Sequence, residues 1–87
     1  MDDKWFYAGE SSVYVWTDVA GVRMFCIRSR HGSDGLDLKE RGIVGLLGML
    51  KESVAHSQAM GTPVAEYMRT SIDVLEQAVA EYGLAPA

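Results

Sequence analysis

The sequence predicts an α+β domain: a three-stranded antiparallel meander followed by an antiparallel two-helix hairpin. Three observations carry this. Residues 1–30 hold short β-branched and aromatic runs separated by turn clusters, as strands and hairpins require. From residue 38 onward, apolar residues recur at three- and four-residue spacing. Gly61-Thr62-Pro63 cuts that pattern into two long segments joined by a very short turn, which favours an antiparallel pair. The chain has 87 residues, and all of 1–87 reads as one domain without linker or repeat. Hydrophobic residues make up 48%, enough to build a core.

The first strand is expected at 4–8 (KWFYA), and residues 9–12 are a turn cluster. The second is expected at 13–17 (VYVWT). Asp18 to Gly21 reads as a hairpin connection, and the third strand follows at 22–29 (VRMFCIRS). Such short connections make a meander the economical topology. Alternation separates Val13, Val15 and Thr17 from Tyr14 and Trp16, and Val22, Met24 and Cys26 from Arg23, Phe25 and Ile27. Both faces are thus apolar, whereas a half-exposed sheet shows one polar face. Either helices cover both faces, or the second face meets a partner.

Residues 30–35 (RHGSDG) are a loop by composition. Asp37 reads as an N-cap, with Glu40 three residues on completing an acidic capping box. The first helix is expected at 38–59, with Ile43, Leu46, Leu47, Leu50 and Val54 as its stripe and Met60-Gly61 as its end. Thr62 reads as the second cap, Pro63 as the first helical residue, and 63–82 as the second helix. Its stripe is Val64, Met68, Ile72, Leu75, Val79 and Tyr82, and Gly83 is the expected stop.

Within the first helix, residues 42–50 read GIVGLLGML. Each glycine costs a helix interior about 0.8–1 kcal/mol relative to alanine. At ~100° per residue, Gly42, Gly45, Gly48 and Met49 fall opposite the main stripe, together with Glu52 and His56. Small residues in a row let another backbone approach closely. This smooth second face packs either on the chain's own sheet or second helix, or on another subunit.

Net charge is −4, which argues against broad contact with a phosphate backbone. The segment 19–41 is locally basic, between acidic ends. Within it, Arg23, Arg28, Arg30 and His31 are candidate anion or nucleic-acid contacts, with Tyr14, Trp16 and Phe25 as stacking neighbours. The longest apolar run, 42–50, is less than half a membrane span. The start of the chain lacks the pattern of a cleavable signal, and a single cysteine excludes an internal disulfide. The expectation is a cytoplasmic protein without membrane contact.

Candidates for catalysis are sparse. Arg30-His31-Gly32 after a strand resembles the opening signature of the histidine phosphatases, and Leu38 to Gly42 (LKERG) loosely resembles their later helical segment. The resemblance implies a phosphorylated nucleophile at His31 and a phosphate-holding role for Arg30. That family draws a second arginine and a second histidine from later strands of an α/β sheet, whereas this chain offers only His56, on a predicted helix. Cys26 lies within a strand and reads as a small hydrophobe. Glu52 and His56, four apart, read as a surface pair. Cys26, His31 and His56 lack metal-ligand spacing, so neither metal nor cofactor is expected.

The function the sequence favours is non-catalytic. It is a small interaction module, an adaptor, chaperone or inhibitor of a larger protein of the kind bacteria and phages encode, and a homodimer. Its interaction surface is expected on the outer sheet face (Trp5, Tyr14, Trp16, Phe25) or the glycine face (Gly42, Gly45, Gly48, Met49). Nucleic-acid binding through 23–41 is the alternative, and phosphoryl transfer through His31 the remote one.

Overall fold

The structure is a computed structural model that describes residues 3–28 and 35–84. Strands β1 (Lys4–Ala8), β2 (Ser11–Thr17), β3 (Arg23–Arg28) and β4 (Leu36–Leu38) form one antiparallel sheet in that order. Helices α1 (Glu40–Met60) and α2 (Glu66–Glu81) follow. The α+β class, the meander and the two consecutive helices agree with the sequence reading.

The fourth strand was not expected. Leu36, Asp37 and Leu38 pair with Ile27, Cys26 and Phe25, so Asp37 sits in the ladder rather than at a helix cap. Lys39 is the N-cap of α1 and makes no side-chain capping bond. Three residues are too few for alternation to register, and the acidic pair at Asp37 and Glu40 imitates a cap. The start of α2 also differs. Thr62 donates its N–H (2.9 Å) and its hydroxyl (3.1 Å) to the Ser57 carbonyl, so it finishes α1 instead of opening α2. Helix α2 begins three residues beyond Pro63, at Glu66. The expected stops hold: Gly61 and Gly83 both adopt left-handed φ, and Leu84 N–H returns to the Val79 carbonyl at 3.0 Å.

The β2–β3 turn is organised by Asp18. Its Oδ1 accepts from Ala20 and Val22 N–H, both at 2.9 Å, while its carbonyl accepts from Gly21. This fixes a register that pairs Val15 with Phe25 and Tyr14 with Cys26. One face therefore carries Phe6, Val13, Val15 and Phe25, and the other carries Trp5, Tyr7, Tyr14, Trp16, Met24 and Cys26.

Both helices lie on the first face, α2 over β1 and β2, and α1 over β3 and β4. The core joins Phe6, Val13, Val15 and Phe25 to Ile43, Leu47, Val74, Leu75 and Ala78. On α2 the large residues Ile72 and Val79 are only half-buried, and Ser71, Val74 and Ala78 take the sheet side. Small residues there let α2 sit close, where the buried Ser11 hydroxyl meets Thr70 Oγ1 (2.9 Å) and Ser71 Oγ (3.3 Å). These bonds satisfy a polar group that burial would otherwise penalise. At the sheet edge, Gln77 Nε2 donates to the Tyr7 carbonyl at 3.0 Å, and Lys4 pairs with Glu81 at 2.8 Å.

Candidate interaction surfaces

The face of the sheet away from the helices is open and aromatic. The Trp5 ring stacks on Tyr7 (centroids 5.8 Å apart, planes 9° apart) and lies 4.6 Å from Tyr14. Trp5 is 47% exposed and Tyr7 64%, while Tyr14, Trp16 and Met24 are half-buried. The Tyr14 hydroxyl bonds to the Asp3 carboxylate, which raises the phenol above its ordinary range. Arg28 is exposed on the same face, in the row of Tyr7 and Ser12, and Asp37 sits at the β4 edge.

Three of the four sheet residues expected at this surface are there: Trp5, Tyr14 and Trp16. Phe25 is not. It is 1% exposed, opposite Val15 in the core and edge-on to Tyr82 at 5.7 Å. Alternation within β3 separates Phe25 from Cys26, but only the turn register decides which of them shares a face with Tyr14. Tyr7 was missed, although it stands two residues from Trp5 in a strand and so must share its side.

The basic candidates do not form one patch. Arg23 is on the helix-covered face, with its guanidinium 4.2 Å from the Tyr82 ring centroid and Nη1 3.8 Å from Glu40 Oε2. Its Nε is buried and has no hydrogen-bond partner among the described residues. Arg28 points to the opposite, open face. Arg30 and His31, and with them the phosphatase-like trio, lie outside the described residues.

The glycine face divides. A Cβ placed on Gly42 would lie 3.2 Å from Leu38, so Gly42 accommodates its own chain. At Gly45 and Gly48 an added Cβ would meet nothing within 4 Å. Both are exposed, as is Met49 at 68%. Gly48 also borders an apolar groove of about 700 Å³ between α1 and α2, lined by Val44, Leu47, Val79, Ala80 and Leu84 and flanked by the 2.8 Å Lys51–Glu76 pair.

Among the described residues no three His, Cys, Asp or Glu side chains are grouped to hold a metal ion, and no helix is long and apolar enough to cross a membrane. Comparison of this chain with protein-family models, with curated proteins and with solved structures finds no match.

Proposed function

We propose that this chain is a non-catalytic interaction domain, an adaptor, chaperone or inhibitor that binds a larger protein through the open face of its sheet. The observation that carries the reading is the placement of both helices on one face, which leaves Trp5, Tyr7, Tyr14 and Trp16 clustered on the other. Aromatic side chains and arginine are enriched at binding hot spots, and a sheet that presents both is built for contact. A photoreactive residue at position 7 tests it in the cells that make the protein, with position 67 on α2 as control. A single adduct of defined mass is expected from position 7 and not from 67, lost when Trp5 and Trp16 are both changed to alanine in a chain that still folds. Adducts alike from both positions, or none, reject the reading.

One observation favours nucleic acid as the second reading: Arg28 stands on the face that carries the aromatic rings. Asp3 and Asp37 oppose it there, and Arg23 is committed to Tyr82 and Glu40. Quenching of tryptophan fluorescence by a single-stranded oligonucleotide, steep in salt and lost in Arg28→Ala, would select this reading over the protein partner.

A further inference from the structure

We infer that the outward face of α1 binds a second copy of this chain, antiparallel across a two-fold axis that crosses that face midway between the levels of Gly45 and Gly48. At ~100° per residue, Arg41, Gly45, Gly48, Met49 and Glu52 share a sector of about 100°. All five are exposed. The fold makes no use of Gly45 or Gly48, where added Cβ atoms would stand in open space. Helix-breaking residues are therefore kept where the protomer itself derives no packing from them.

Glycines alone do not say what lies against them. The charges do. Arg41 and Glu52 flank the smooth segment, and among the described residues neither has an ion-pair partner. In an antiparallel pair, the register that sets Gly45 against the partner subunit's Gly48 also sets Arg41 against the partner subunit's Glu52. Two-fold symmetry repeats each contact, so the face complements itself both in charge and in shape. A parallel arrangement in register would instead stack Arg41 on the partner subunit's Arg41. Met49, 68% exposed, then lies over the partner subunit's Gly45, which has no side chain to block it. Antiparallel α1 helices also oppose their dipoles favourably.

The contact is one helix wide, so it lies at the small end of specific interfaces and the dimer is concentration-dependent. The sheet face stays open on both protomers, and this inference does not rest on the proposed function above. Variants of Trp5 and Trp16 leave the dimer unchanged.

Sedimentation equilibrium over a wide concentration series tests the inference, with far-ultraviolet circular dichroism as a check on folding. Wild type is expected to dimerise. Arg41→Glu and Glu52→Arg should each weaken the dimer by about tenfold or more, as like charges meet across the axis. The double variant Arg41→Glu with Glu52→Arg should restore it, because the swapped charges pair again. Gly45→Leu should abolish it while the helix content holds. A chain that is monomeric at every concentration overturns the inference. So does a dimer that survives Gly45→Leu, or one that the charge swap fails to restore.

Discussion

The Arg23 guanidinium lies over the Tyr82 ring, 4.2 Å from its centroid, and this contact closes the sheet end of the helix pair. Tyr82 also meets Phe6 and Phe25 edge-on, at 6.2 and 5.7 Å. The ring thus joins the end of α2 to β1 and β3. Its value is mostly packing, since such pairs bury large aromatic area. Tyr82→Ala is expected to cost about 2–3 kcal/mol, at or below the low end for truncation of a fully buried aromatic because the ring is half-buried. Arg23→Met keeps an unbranched apolar side chain beside the ring and removes both the guanidinium and the buried Nε that lacks a partner. It should cost less than about 1 kcal/mol. Urea unfolding of the two variants separates packing from charge, and equal losses would assign the contact to the guanidinium.

The glycines of the chain should respond to alanine with opposite signs. Gly45→Ala and Gly48→Ala fill open space on a helix and should each stabilise the monomer by about 0.8–1 kcal/mol. Gly9→Ala should destabilise by more than about 1 kcal/mol, because its Cβ would approach Thr70 Cγ2 to 2.6 Å from a backbone at φ +58°. Unfolding midpoints at dilutions where the protein is monomeric check this. A destabilised Gly45→Ala would mean that the helix face is occupied within the protomer.

Tyr14 links the open face to alkaline pH. Its hydrogen bond to Asp3 favours the protonated phenol, so its folded pKa stands above the unfolded value of 10.0. The stabilisation is complete below that value and disappears as pH rises through the folded pKa. Lys4 behaves alike, raised chiefly by its hydrogen bond to Glu81, and its contribution is also lost on the alkaline side. The phenolate absorbance of wild type minus Tyr14→Phe should titrate above the range of free tyrosine. Asp3→Asn should lower that midpoint. An unchanged midpoint would show that the Asp3 charge and hydrogen bond do not set it.

What the sequence could carry follows from which interactions are local. Asp18 and Gly21 mark the β2–β3 turn, Gly61 and Gly83 end the helices, and the α1 stripe of Ile43 and Leu47 is the buried one; each is set by neighbours within a few residues. The misplaced features depend on contacts far along the chain. Of the expected α2 stripe, Leu75 is in the core and Tyr82 packs on Phe6 and Phe25, but the sheet also takes the smaller Ser71, Val74 and Ala78, since Ser11 and Ser71 meet across sixty positions of sequence. Phe25 went to the wrong face because a register between strands is not a property of either strand alone. Strand β4 exists by pairing with β3, not by its own three residues. The aromatic surface was legible in Trp5, Tyr14 and Trp16, whereas the openness of Gly45 and Gly48 could be seen only once the helices were placed.

Cys26 is held on the open face of the sheet, yet it is only 9% exposed. Gly35, just before β4, lies against it: a Cβ there would collide with Cys26 Sγ and stand 2.9 Å from Arg28 Nε. The absent side chain lets the β4 entry close over the thiol, while Tyr14 and Asp37 flank it in the ladder. Arg28 is exposed and its end can swing aside, but Sγ is fixed by a strand interior. Gly35→Ala should therefore lift the β4 entry away from β3 and cost about 1–3 kcal/mol, the usual range for overpacking. Cys26 should then react faster with a thiol reagent. Cys26→Ala removes the colliding atom, so the double variant should recover most of the loss and the two effects should fall well short of additive. Additive losses, or a labelling rate unmoved by Gly35→Ala, would mean that something other than Gly35 shields the thiol.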